Sequence, residues 1–309
     1  MREPKDGQEY LEEVVVRSDF VLFLEGGIGK IISSTPFVRW VSEQVGHPID
    51  LICSWAEVYA HNPFVNEVRR PDNDLYPLLE SKDLIKVDPY FVADFRNKKV
   101  HITEAWFRSW GTEPPPQSKC VSLYFEDREL EWAQKYLSKY DKPVILFQPW
   151  GASTHLGWET FQVRSLKKET AEVLAKELSK YGTVLVLRNL QQPHLQGFIH
   201  PDLELRYSMA LVTAADAIVG IDSWMCHASA AVGKSGFFIF MATPPQILSY
   251  DIHWNYIEEN VCPLHPCNRP WAGVPDQFHC PFGGKCQNLN LDRLLESLTE
   301  YLSSTLKEG

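Results

Sequence analysis

Apolar positions along this chain fall into two recurring patterns that alternate in order. Short continuous runs, Phe20-Val21-Leu22-Phe23-Leu24, Ile49-Asp50-Leu51-Ile52-Cys53, Val144-Ile145-Leu146-Phe147, Val184-Leu185-Val186-Leu187, Ala217-Ile218-Val219 and Phe237-Phe238-Ile239-Phe240, have the length and composition of strands buried on both faces. Between them the apolar residues recur at helical spacing. Ile31, Ile32, Phe37, Val38, Val41 and Val45 share one face, in a helix that Pro36 should bend. Further helices are predicted over 126–140, 167–180 and 208–215, and a terminal amphipathic one carries Leu291, Leu294, Leu295, Leu298 and Leu302. Strands alternating with helices imply right-handed βαβ units and parallel sheets. The stretch 71–89 shows no clear period, and Gly111 to Gln117, with three consecutive prolines, reads as a linker or surface loop.

Two successive α/β halves result, an N-terminal one over 1–140 and a C-terminal one over 141–309 that includes a Cys-rich segment, 262–286, and the terminal helix. With 309 residues, 44% apolar and 23% charged, the chain has the composition of a soluble globular protein with ample length for a core. A net charge of -10 argues against nucleic acid as the main partner, although Arg69-Arg70 and Lys167-Lys168 are local basic pairs. No apolar run is long enough to span a bilayer, and residues 1–16 lack a signal-peptide core, so a cytoplasmic location is expected.

The candidate chemistry lies at strand ends. Gly220-Ile221-Asp222-Ser223-Trp224-Met225-Cys226-His227 follows one strand and opens a small-residue helix. That places Asp222, Ser223 and a helix N-terminus at the carboxyl edge of a parallel sheet, where open α/β folds bind ligands and where free N–H groups attract anions. Asp and Ser are also ordinary helix caps. Gly26-Gly27-Ile28-Gly29-Lys30 is a second glycine turn; it lacks the Walker spacing, and a plain tight turn explains it as well.

Taken in order these segments carry a resemblance. Gly26-Gly27-Ile28-Gly29-Lys30, Ser34-Thr35-Pro36, Asn62-Pro63-Phe64-Val65-Asn66-Glu67-Val68, Gln148-Pro149-Trp150-Gly151-Ala152-Ser153 and the run from Ala210 through Asp222-Ser223 to His227 together resemble glycosyltransferase family 9, which includes the ADP-heptose:lipopolysaccharide heptosyltransferases. The resemblance implies an α/β fold of two Rossmann-like lobes with a cleft between them, the B-type glycosyltransferase architecture. It further implies an inverting transfer of a heptose-like sugar or other hexose from a nucleotide diphosphate donor, ADP-heptose or similar, to the hydroxyl of a glycan, lipid-linked saccharide or protein. The second lobe would hold the donor. Ser223, His227 and the adjacent amides would contact diphosphate, and Asp222 would hold the sugar or order the turn. Gly151, Ser153 and Thr154 would line the opposite wall, with Gly27 and Gly29 in the first loop. Arg188 would reach ribose or phosphate, and Arg164 matches a basic position of the family or is a plain surface charge.

Two departures alter that picture. Where the heptosyltransferases carry an acid, resembling a catalytic base, this chain has Lys30, which would contact phosphate or an anionic acceptor; Glu25 is then the alternative base. Trp224 replaces a glycine and would stack on base or sugar, or fill part of the pocket. A catalytically idle nucleotide- or glycan-binding relative, or a sugar transferase acting on modified nucleic acid, is the alternative function.

Four of the seven cysteines, Cys262, Cys267, Cys280 and Cys286, crowd one proline- and glycine-rich segment. They suit a structural zinc or iron site, with His265 and His279 as substitutes, or are reduced thiols. The resemblance extends here, since related autotransporter heptosyltransferases carry iron at this place. Cys53, Cys120 and Cys226 read as buried or free thiols. Aromatic content is high, with 10 Trp, 12 Tyr and 16 Phe. Trp106, Trp110, Trp150, Trp158, Trp254 and Trp271 lie in or beside predicted loops, suited to sugar stacking or to packing.

Overall fold

The computed structural model describes residues 20–151, 164–268 and 280–307. It divides into two compact units, Met1–Tyr124 and Phe125–Gly309.

In the first unit β1 (Phe20–Leu24) leads through α1 (Ile28–Ser33) and α2 (Thr35–Val45) to β2 (Ile49–Cys53) and β3 (Val65–Arg69). α3 (Tyr76–Leu79), β4 (Asp83–Lys86), α4 (Ala93–Arg96) and α5 (Ile102–Trp110) follow. All pairings are parallel in the order β3-β2-β1-β4, so the largely apolar β1 and β2 are central and β3 and β4 are edges. The helix expected to bend at Pro36 is instead two helices. Ser34 separates them: its hydroxyl donates to the Ile31 carbonyl at 2.6 Å and also meets Tyr59 Oη at 2.6 Å. Phe37 packs among Trp106, Phe107 and Trp110 at centroid distances of 5.6–6.4 Å. Trp106 and Trp110 therefore belong to a helix and the core, not to a loop.

The second unit begins with α6 (Asp127–Leu137) and continues β5 (Val144–Gln148), α7 (Lys168–Leu178), β6 (Thr183–Val186) and α8 (Leu205–Ala214). β7 (Ala217–Ile221), α9 (Trp224–Ala231), β8 (Phe237–Phe240), α10 (Pro245–Leu248), β9 (Trp254–Ile257) and α11 (Leu291–Thr305) complete it. Its parallel sheet has the order β6-β5-β7-β8-β9. β5 and β7 are buried at every position, so their carboxyl ends point the loops after Gln148 and Ile221 to one edge. α11 closes the core with Leu294, Leu298, Tyr301 and Leu302, and Tyr301 Oη accepts a bond from the Ile218 amide at 3.2 Å. α6 belongs here: Glu129 takes a two-pronged bond from Arg206 of α8 at 2.7 and 2.8 Å, and Trp132 lies 4.4 Å from the Tyr207 ring. Among the described residues no helix is long and apolar enough to cross a membrane.

Candidate functional site

At the carboxyl edge of the second sheet, α9 starts where β7 ends. Gly220 permits the turn, because a Cβ there would lie 3.0 Å from Met225 Cε and 3.4 Å from the Gln148 carbonyl oxygen. Ser223 is the N-cap in extended conformation, its hydroxyl makes no capping bond, and the first turn holds no acid. A helix start whose N-cap hydroxyl is not spent on a capping bond and whose first turn holds no carboxylate is suited to an anion. Trp224, the first helical residue, is half-buried, whereas His227 is 3% exposed with Nδ1 2.8 Å from Tyr250 Oη.

Asp222 points inward. Its Oδ2 accepts from Thr243 Oγ1 at 2.6 Å and lies 3.8 Å from Arg164 Nη1, which also reaches the Asp222 carbonyl at 3.4 Å. Both side chains are under 8% exposed, so Arg164 is a buried counter-charge that ties the turn to the rest of the unit. Nearby, the Gly151 amide donates to Ser165 Oγ at 3.1 Å, and Trp150 is core, its Nε1 bonded to the Leu166 carbonyl. Ser153, Thr154 and Trp158 lie outside the described residues. Arg188, just past β6, spends Nη1 on the carbonyls of Asn189 and Gln192 at 3.0 and 2.9 Å. Its Nε, like Gln148 Oε1 at the end of β5, is buried with no hydrogen-bond partner among the described residues.

The first unit's sheet edge is lined by ion pairs. Gly26 adopts φ +136, a conformation that favours glycine, and a Cβ there would sit 2.6 Å from Lys30 Cδ. Lys30 is 6% exposed; its Nζ donates to Asp88 Oδ1 at 2.8 Å and stands 4.2 Å from the centre of the Tyr90 ring. Burial lowers the Lys30 pKa, opposed by Asp88. Glu25 is exposed and paired with Lys86 at 2.7 Å, which lowers its pKa. Gly27 is the N-cap of α1 and Gly29 lies in its first turn. Asp88 and Tyr90 had no signal in the sequence, because they meet Lys30 from a loop 58 residues away.

The structure does not support the expected four-sulfur metal site. Among the described residues no three His, Cys, Asp or Glu side chains are grouped to hold a metal ion. Cys286 is buried in the core, which pushes its thiol up to about 12, with Cys267, Cys280 and Cys262 adding to the shift. His265 instead has Nε2 2.6 Å from the Met241 carbonyl oxygen, and His279 and Trp271 lie outside the described residues. The Asn268 amide donates to the Ala242 carbonyl at 2.9 Å, and Gln287 Nε2 donates to the Ser165 carbonyl at 2.8 Å.

One buried histidine under α9 gives a pH prediction. His253 Nε2 meets the Cys226 carbonyl at 3.0 Å, and desolvation lowers its pKa to about 4. The unfolded chain takes up a proton near pH 6.5 that the folded one refuses until about 4, so stability is lost as pH falls through that window. Wild type is expected to lose about 2 kcal/mol more between pH 7 and 5 than His253→Gln, measured by denaturant unfolding at both pH values.

No protein-family model matches the chain, and no curated protein matches it in sequence. Solved structures do match in fold. A glycosyl transferase family 9 structure from Veillonella parvula is 11% identical, with 93% of this chain and 97% of that chain covered and a TM-score of 0.64. The iron-containing dodecameric glycosyltransferase TibC of enterotoxigenic E. coli is 15% identical, over 93% of this chain and 77% of that one, at 0.65. ADP-heptose lps heptosyltransferase II of E. coli is 15% identical, over 94% and 100%, at 0.62. The chain thus has the two-sheet α/β fold of the heptosyltransferases.

Proposed function

We propose that the protein transfers a glycosyl group, with inversion, from a nucleoside diphosphate sugar to a hydroxyl of a glycan, lipid-linked saccharide or protein. The observation that carries this is the start of α9: a Ser223 hydroxyl that makes no capping bond, an acid-free first turn and His227, at the carboxyl edge of a sheet in the heptosyltransferase fold. TibC has been crystallised with ADP-D-beta-D-heptose, which makes ADP-heptose or a close analogue the first donor to test. Gln148 Oε1 and Arg188 Nε lack partners among the described residues at adjacent strand ends, and sugar or ribose hydroxyls would satisfy both.

In the reaction, the acceptor oxygen bonds to the anomeric carbon from the face opposite the leaving group. The bond from that carbon to the terminal phosphate oxygen breaks, and the nucleoside diphosphate leaves with the electron pair. Trp224, Met225 and neighbouring amides of the α9 start, with Ser223 and His227, would stabilise that charge as it develops. Arg164 and Asp222 would hold the turn in shape. Glu25 would take the acceptor proton, as an already ionised carboxylate beside Lys86. Lys30, committed to Asp88, would position that edge of the first unit. Nucleotide sugars are charged and do not cross a bilayer unaided, so the cytoplasm is the proposed compartment. A second reading, a catalytically idle nucleotide-binding relative, is favoured by the ion pairs that hold both Glu25 and Lys30.

Hydrolysis of a panel of nucleotide sugars with and without acceptor separates the two, since an idle binder releases no nucleoside diphosphate. Calorimetry tests the site. Because Ser223 makes no side-chain cap bond, Ser223→Ala is expected to cost well under about 1 kcal/mol of stability. Its affinity for ADP should fall about tenfold, the loss of one hydrogen bond to a charged group. Wild-type affinity in this variant would remove Ser223 from the site.

A further inference from the structure

At the carboxyl edge of the first sheet two acids stand on neighbouring strands. β1 and β4 pair with Phe23 beside Lys86, and the Val87 amide continues the ladder to the Phe23 carbonyl at 3.4 Å. Two steps further the same register sets Glu25 beside Asp88, on strands about 4.8 Å apart. Glu25 meets Lys86 at 2.7 Å and Asp88 meets Lys30 at 2.8 Å, which offsets the repulsion between the carboxylates. Those contacts use only half of Asp88. Its Oδ1 takes both the Lys30 ammonium and the Tyr90 amide, the latter at 2.9 Å as the cap of the short 3-10 turn Pro89–Phe91. Among the described residues Oδ2 accepts no hydrogen bond, and it is not sealed from solvent, the side chain being 18% exposed. Aromatic surface comes with both acids. Trp55, from the end of β2, donates its Nε1 to the Gly26 carbonyl at 2.9 Å and stays half-buried. Phe91, in the turn that Asp88 caps, is 76% exposed, an apolar ring left in water.

A ligand that fits this edge carries neighbouring hydroxyls and an apolar face, and a saccharide has both. Two ionised carboxylates on adjacent strands can each accept one hydroxyl of the same sugar, in the stronger, charge-assisted kind of hydrogen bond. A serine or threonine side chain offers a single hydroxyl and would leave Asp88 Oδ2 unmet. We propose that the carboxyl edge of the first sheet is a saccharide subsite, in which Asp88 Oδ2 accepts from the hydroxyl beside the one that reacts at Glu25 and the rings of Phe91 and Trp55 receive the sugar's C–H face. The acceptor is thereby a sugar and not a protein side chain. Lys30 acts through Asp88, as a positioning residue that holds Oδ1 and leaves Oδ2 to the ligand. The inference rests on the glycosyl-transfer reading above, which it narrows to one acceptor class.

An array of free oligosaccharides, the same saccharides on a lipid carrier, and serine and threonine peptides names the bound class and its source. Calorimetry then measures the best binder on wild type, Asp88→Asn and Phe91→Ala. Wild type is expected to bind a saccharide with no nucleotide present. Asp88→Asn is expected to bind it about tenfold more weakly, the loss of one bond to a charged group. Phe91→Ala is expected to bind it roughly fivefold more weakly at an unchanged melting temperature, since the ring is 76% exposed. A purely structural Asp88 would lower the melting temperature and leave the sugar affinity alone. Wild-type affinity in both variants overturns the proposal, as does an array on which only the peptides bind, or nothing does. The donor reading fails separately. Wild type that binds none of ADP, UDP and GDP, yet binds a saccharide through Asp88 and Phe91, upholds the subsite and overturns glycosyl transfer.

Discussion

Arg164→Met is expected to lower the stability of the second unit by about 3 kcal/mol, the usual cost of removing one partner from a buried ion pair. Methionine keeps much of the apolar stem, so the loss isolates the charge. Asp222, 3% exposed, would lose that cation and keep Thr243 as a neutral partner. Adding Asp222→Asn to Arg164→Met should restore much of the stability, because a neutral amide tolerates the apolar neighbour. Denaturant unfolding of the single and double variants checks this, and a single variant within about 0.5 kcal/mol of wild type would mark Arg164 as a solvated surface charge after all. Nucleotide affinity should fall in the single variant too, since the turn that opens α9 loses its anchor.

Lys30→Glu is expected to be the most damaging change in the first unit, at about 4 kcal/mol. It removes the cation that Asp88 faces at 2.8 Å and sets a second carboxylate in its place, beneath Tyr90 and Trp106. Two adjoining carboxylates raise the pKa of one of them above its unfolded value, so the deficit relative to wild type should shrink as pH falls toward 5. Thermal unfolding across that range reads both effects. A variant as stable as wild type, with altered turnover alone, would instead assign Lys30 to the chemistry.

Much of the architecture was legible in the residues. The runs at Phe20, Ile49, Val144, Ala217 and Phe237 became strands because a short, mostly apolar run is stable where both faces are covered. β4 was missed for the complementary reason. It is an edge strand of four residues, Asp83-Leu84-Ile85-Lys86, with exposed positions and too short a run to show a period. The helix that apolar spacing carried past Pro36 divides at Ser34, just before the proline, and the Ser34 hydroxyl meets Tyr59, a partner 25 residues away. The site shows the same limit. Ser223 and the start of α9 could be placed from local pattern, whereas the partners that decide what Lys30, Asp222 and His227 can do arrive from Asp88, Thr243 and Tyr250. Cysteine spacing could not reveal that Cys286 would turn into the core while His265 was taken by a backbone carbonyl.

The bond between Glu129 and Arg206 spans 77 residues, and it imposes an order of events on synthesis. At ribosomal rates of about 5–20 residues per second, α6 waits roughly 4–15 seconds for the helix that covers it. During that interval Trp132 and Glu129 have no Tyr207 or Arg206 to meet, so a nascent chain carries an uncovered aromatic face on its newest helix. The polar positions of α6, Asp127, Arg128, Glu131, Gln134 and Lys135, keep the helix solvated through the wait.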